Sequence, residues 1–378
     1  MVFDRKPPNP DGHSEWIVHA PTMSKVFNAP GYPQPVPKPI GNIKSYTVKS
    51  TPTMGKGVFA TRDIPMGGMV FAERPLLVVP TALIASPVVD IDESSLVEYA
   101  KVMMFQQEQR LEVAVGRMAP DRRAKLMALM NSHLEDGCGP ITGIVRTNGY
   151  AVKNLWDGDG EPDEEGALHR RYYSAVCDVG SRINHRFHFF SLFFQLANAN
   201  FFCFVLFFFS CRPNIDHEFH LSAFAMVFFA IRDVKAGVQL FYSYCSREHS
   251  ASERKAVLAP YGITQCICAA CVNATPETDA LRQTFYARVQ EYYMQRDSWP
   301  LLPKFPVEIL NGLLRYRRAL VKEGLDTVKI YWSVFLPTLI TAYRMADRTN
   351  EPEAQLVVQE MMKWLDFFDA KQAMKSSQ

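Results

Sequence analysis

The sequence predicts an α+β protein, and three observations predict it. Short apolar runs separated by Gly and Pro turns fill residues 44–80, helical periodicity takes over at 94–133, and it returns after Thr275. The chain has 378 residues, 48% hydrophobic and 21% charged, with 41 basic against 39 acidic side chains. That length suffices for one large or two ordinary domains. A formal charge of +2 argues against a broad electrostatic footprint for nucleic acid, so none is expected as a direct ligand. The opening stretch MVFDRKPPNPDGHSEW lacks the apolar core of a secretory signal. Eight cysteines without such a signal read as thiols or metal ligands rather than disulfides. The expected location is nuclear or cytoplasmic, not secreted.

Residues 1–43 carry nine prolines with Pro39 the last, and read as a Pro-rich disordered arm. SYTVKST, GVFATRDI and MVFAERPLLVVP then read as strands, with MGKG and PMGG as their turns. LVEYAKVMMFQQEQRLEVAVGRM and DRRAKLMALMNSH are helical, broken at Pro120, with Asp121 the expected N-cap of the second. WDGDGEPDEEG reads as an acidic surface loop. FHLSAFAMVFFAIRDV and VQLFYSY restore the strand pattern. VFLPTLITAYRMADRT and EAQLVVQEMMKWLDFF are the clearest amphipathic helices of an all-α C-terminal region, expected to offer a packing or partner surface.

Cys266, Cys268 and Cys271 form CxCxxC. Three thiols within six residues can converge on one tetrahedral metal, and zinc suits thiolates. Spacing alone leaves the fourth ligand open among Cys138, Cys177, Cys203, Cys211 and Cys245.

Several fragments together resemble one family, the SET domain protein-lysine methyltransferases. GKGVFATRDIPMGG followed by FAERPLL resembles the opening of that domain, and TNGY at Thr147–Tyr150 the segment that supplies a cofactor-binding asparagine. SRINH at Ser181–His185 and SCRPN at Ser210–Asn214 resemble two halves of the signature RxNHSCxPN. VKAGVQLFYSY is similar to the strand that ends in the catalytic tyrosine, and RKAVLAPYGITQCICAAC to the post-SET segment. The subtype is similar to short fungal-type SET proteins related to the SET/MYND group. The MYND finger itself is lacking, since no cysteine lies between Pro75 and Asn131.

The resemblance implies a β-rich SET domain over 44–244 with a knot-like signature strand and a helical insertion at about 94–133. It implies a post-SET zinc segment over 245–274 and a helical region over 275–378. It implies S-adenosylmethionine-dependent methylation of a lysine on a protein substrate, histone or other. Tyr244 is then the catalytic tyrosine, also touching cofactor, and Tyr261 a second wall of the lysine channel. Gly55, Lys56, Gly57 and Val58 would present backbone to the cofactor, Asn148, Asn184 and His185 would hold it, and Ile263 would lie beside it. Cys211 would join Cys266, Cys268 and Cys271 on structural zinc.

The sequence also departs from the family pattern. Phe241-Tyr242-Ser243 precedes the tyrosine, Gln239 stands where an acid is usual, and Tyr261 lies one position further from the zinc cysteines than expected. The largest departure is residues 186–209, with eleven phenylalanines in 24 residues, inside the signature. A membrane span is disfavoured by His188, Gln195, Asn198 and Asn200, and a surface loop would be a large sticky patch. Codon choices for Arg186-Phe187, the Ala-Asn pairs and Phe207–Ser210 can write a donor, branch point, pyrimidine tract and acceptor. The stretch therefore reads as a retained intron whose removal restores NHSCRPN. The rival reading is a catalytically inactive SET-like interaction module.

Overall fold

The computed structural model describes residues 12, 14–52, 54–81, 93–135, 137–152, 155, 173–184, 213–264, 266 and 268–376. His185, Cys203, Cys211, the Phe-rich stretch 186–209 and the acidic loop lie outside the described residues. The architecture is mixed, with small sheets at the centre and helices on two sides.

Strand β1 (Glu15–Trp16) and helix α1 (Ala20–Phe27) precede the hairpin of β2 (Tyr46–Ser50) and β3 (Lys56–Ala60). β4 (Met69–Glu73) and β5 (Leu77–Pro80) follow, then helices α2 (Glu93–Gly116), α3 (Pro120–Met127) and α4 (Pro140–Asn148). β6 (Gly149–Val152), β7 (Tyr173–Val176), β8 (Ile215–His220) and β9 (Ala225–Ala230) complete the sheets. The first sheet has the order β1-β5-β7-β6 and the third β4-β9-β8, while β2 and β3 pair alone. β1 runs parallel to β5, with Glu15 opposite Leu77; the remaining ladders are antiparallel.

β9 shows why its sequence, AMVFFA, is apolar throughout. Alternate side chains leave a strand on opposite faces. Met226 and Phe228 enter a core shared with Trp16, Val58, Phe71 and Tyr150, while Val227 and Phe229 enter the core of the C-terminal helices. A third core joins α2, α3 and α4 to β5 and β7 through Leu111, Leu126, Ile144, Val79 and Val176.

Beyond β9 come α5 (Ala251–Leu258), the short α6 (Ala269–Val272), α7 (Pro276–Arg296), α8 (Val307–Glu323), α9 (Leu336–Met345) and α10 (Pro352–Ser376). Reciprocal capping boxes start α5, through Ser250 and Glu253, and α7, through Thr275 and Thr278. α8 stops at Gly324, whose φ of 77° is left-handed.

Three expectations change. The arm of 1–43 is not uniformly disordered: Trp16 and Val18 are fully buried, and Gln34 N–H donates to Ser222 O at 2.8 Å. A few large apolar side chains outweigh the local proline content. The N-cap of α3 is Ala119, because Pro120 takes the first helical position and leaves Asp121 in the first turn. The expected strand at 238–244 is an extended segment held by single bridges, Phe59 with Gln239 and Asn184 with Phe241, rather than by a ladder.

Candidate active site and metal site

The extended segment 239–242 is gripped on both edges. Successive backbone N–H groups of an extended chain point to opposite sides. Phe241 donates its N–H to Asn214 Oδ1 at 2.7 Å and accepts from Asn214 N–H at 3.1 Å. The Asn214 amide nitrogen donates to Gln239 O at 2.9 Å. On the other edge Tyr242 N–H donates to Asn184 O at 3.3 Å. Both flanks of the interrupted signature therefore contact one segment, which leads directly into Tyr244.

Tyr244 donates its hydroxyl to Ile183 O at 3.1 Å, and its ring meets that of Tyr261 with centroids 4.9 Å apart. These rings line a pocket of about 170 Å³ together with Tyr242, Ser181 and residues 147–151. Asn148 closes α4: its side-chain nitrogen donates to Ile144 O at 2.7 Å and Met130 O at 2.6 Å, while its backbone carbonyl accepts from Ser181 Oγ at 2.9 Å. Behind the pocket, Tyr150, Tyr242 and His217 form a ring cluster with centroids 4.7–5.4 Å apart. Burial raises the Tyr150, Tyr242 and Tyr261 phenols, and for Tyr261 the Arg146 charge opposes the rise. All three stay neutral near pH 7, so the walls are apolar rings with hydroxyls rather than charges.

The turn at Val179–Arg182 packs against β4 through Glu73. Gly180 O accepts from Tyr150 Oη at 2.8 Å, while Val179 N–H and Gly180 N–H donate to Glu73 at 3.1 and 2.5 Å. A Cβ on Gly180 would stand 2.4 Å from Phe228 Cζ, so only glycine fits there. Burial pushes the Glu73 carboxyl up to about 7, against the pull of those two donors.

The fold brings together Asn148, Tyr244 and Tyr261 among the residues expected at the site. Gly55, Lys56, Gly57, Val58, Asn184 and Ile263 stand outside the lining of that pocket. Gly55 takes φ 62° in the turn before β3, and its carbonyl accepts from Thr51 N–H. Lys56 O accepts from Asn184 Nδ2 at 3.0 Å, and Val58 O from Leu240 N–H at 2.7 Å. A Cβ on Gly57 would reach 2.4 Å from Gln239 Nε2. Ile263 is half-buried, its N–H donating to Leu258 O at 3.3 Å. Thr147, Ser181 and Ser243 line the pocket as well. Each lies in a fragment that carries the resemblance, TNGY, SRINH or VQLFYSY, but the resemblance gives it no role of its own.

Cys266, Cys268 and Cys271 have sulfurs within 4.8 Å of one another. Cys271 N–H donates to Cys268 O at 2.9 Å, curling the loop so that the three face inward. Three converging thiols, Cys268 buried, fit a thiophilic divalent ion.

Fold and pocket define a SET domain protein of the protein-lysine methyltransferase family, and the chain belongs to that family: residues 55–245 match the SET domain. It is also similar to a Schizosaccharomyces pombe protein named histone-lysine N-methyltransferase set5. The two are 21% identical over 317 residues, covering 76% of this chain and 78% of that one.

Proposed function

We propose that this chain transfers a methyl group from S-adenosylmethionine to a lysine of a protein substrate, histone or non-histone. The observation that carries the reading is the pairing of Tyr244 with Tyr261 in one pocket with Asn148, inside the matched domain. The relative's name favours a histone substrate without fixing the lysine.

S-adenosylmethionine would supply an activated methyl on a sulfonium. The residues present suit it, because aromatic faces attract organic cations and the hydroxyls of Tyr242, Tyr244 and Tyr261 sit among them. Asn148, Asn184 and His185 would hold it, with the turn at Gly55–Val58 and Ile263 flanking. Tyr244, pinned through its hydroxyl to Ile183 O, orients the acceptor amine, and Tyr261 closes the other wall. Such a channel excludes water and disfavours the ammonium form, so the lysine reaches it as a nucleophile. Zinc on Cys266, Cys268, Cys271 and Cys211 would staple the post-SET segment that carries Tyr261. The domains would divide as SET, post-SET and helical region near residues 44, 245 and 275, in the nucleus or cytoplasm. Among the described residues no helix is long and apolar enough to cross a membrane. An inert interaction module would not require a tyrosine-lined pocket, and is the weaker reading.

The test is Tyr244→Phe. Single-turnover methyl transfer should fall at least ~100-fold, the scale of a lost catalytic group, with cofactor affinity by calorimetry within a few-fold. A wild-type rate would remove Tyr244 from the mechanism.

A further inference from the structure

α5 places a fully buried arginine against the cysteine loop. Arg254 Nε–H donates to Cys271 Sγ at 3.4 Å, one terminal nitrogen donates to Ala270 O at 3.0 Å, and the other to His249 O. The planar fork thus ties the start of α5 to the backbone just before Cys271 and to the sulfur itself. The capping box of Ser250 and Glu253 fixes the helix that carries it.

We infer that Arg254 is a positioning residue of the metal centre, donating to the bound Cys271 thiolate and offsetting the negative charge of the zinc–thiolate set. The inference rests on the zinc reading above. Four thiolates on a divalent zinc carry a net charge of −2. Cys268 is 5% exposed, Cys266 and Cys271 are half-buried, and Arg254 is buried completely, so water screens that charge only in part. A guanidinium beside one sulfur cancels half of it, and a directed N–H fixes where that sulfur points. Lysine would keep the charge but lose the fork, because one ammonium cannot reproduce a planar set of donors to sulfur and two carbonyls. α5 is followed directly by a 3-10 turn, Ala259–Tyr261, that carries Tyr261 into the pocket wall, so a loosened metal centre would be felt at Tyr261.

The experiment compares full-length wild type with Arg254→Met and Arg254→Lys. Zinc content is measured first, then the rate of zinc loss to a chromogenic chelator, then the sulfur-to-metal charge-transfer band after exchange with cobalt(II). Wild type should hold one zinc per chain. Arg254→Met should release it ~10–100-fold faster, the cost expected for an outer-shell partner. Its cobalt band should move to lower energy, because a sulfur without the N–H donor is more electron-rich. Arg254→Lys should release zinc at an intermediate rate with a shifted band. If Arg254→Met does not fold, the lysine variant decides by the same two readings. Wild-type protein without zinc would overturn the metal reading and this inference with it. A zinc-loaded wild type whose folded variants keep its release rate and its band would overturn this inference alone.

Discussion

Asn214 spends both ends of its side-chain amide on one extended segment, bonding Phe241 N–H and Gln239 O. Asn214→Ala would leave both of those groups short of a partner, at a cost of about 1–3 kcal/mol. The midpoint of urea unfolding should fall accordingly; an unchanged midpoint would mean that water replaces both bonds. Glu73 gives a pH signature. Its carboxyl titrates near 4.5 when unfolded and at about 7 when folded, so the native state binds more protons between those values. Its contribution to stability is therefore full below about 4.5, falls as pH rises, and is gone above about 7, a change of at most roughly 3 kcal/mol. Glu73→Gln should flatten the stability difference between pH 5 and pH 8 in urea titrations. Tyr244, Tyr261 and Asn148 were legible in the sequence because each sits inside a local pattern of neighbours. Glu73 was not, since its partners Val179 and Gly180 lie 106 and 107 positions away and offer only backbone N–H groups.

Helices were legible where periodicity was long, as in α2 and α10, and β9 from its unbroken apolar run. The segment before Tyr244 carries a strand pattern but is bridged only at Gln239 and Phe241, a matter of which neighbours arrive from elsewhere. Contacts between elements were equally hidden. Ser132, after α3, donates its hydroxyl to Pro260 O at 2.8 Å and its N–H to Thr147 Oγ1 at 3.0 Å. The helical insertion thereby touches the residue before Tyr261. Ser132→Ala should cost only ~1 kcal/mol of stability while lowering methyl transfer several-fold; an unaffected rate would show that Tyr261 needs no such support. Farther along, Arg282 on α7 donates to Glu323 on α8 at 2.8 Å with its side chain fully buried. Breaking that pair with Arg282→Met should cost ~3–5 kcal/mol, while adding Glu323→Leu should recover most of it. Thermal melts of the single and double variants separate a buried unpaired charge from lost packing.

At the scale of the molecule, the proline count pointed to a loose arm, yet Trp16, Ile17, Val18 and Val26 are buried and hold part of it against the sheets. Composition averages over a stretch, and a core needs only a few side chains. The Phe-rich stretch belongs to the same scale. Asn184 and Asn214 contact opposite edges of segment 239–242, about 10 Å apart at two strand spacings. Joining His185 to Ser210 would leave six Cα–Cα steps between them, a reach of roughly 20 Å. The short link therefore suffices to span the two edges. We expect the chain lacking 186–209 to be more soluble, to bind S-adenosylmethionine and to transfer methyl. The full chain should do so poorly, since eleven phenylalanines cost about 1.5–3 kcal/mol each when left exposed. Mature transcripts that keep the stretch, with a soluble and active product, would defeat this.

Arg247 follows Tyr244 by three residues, donates to Thr327 Oγ1, and accepts through its carbonyl from Arg282. Arg232 adds a two-pronged grip on Asp326 at 2.7 and 2.8 Å. The ribosome delivers residues 323–327 long after the pocket's own tyrosines have left the exit tunnel. Until then the stretch behind Tyr244 has only its nearer contacts, and β9 lacks the helices that cover Val227 and Phe229. A nascent chain should thus remain inert until residues 323–327 have emerged. Messages cut short between the codons for Tyr261 and Glu323 would yield sticky, inactive products.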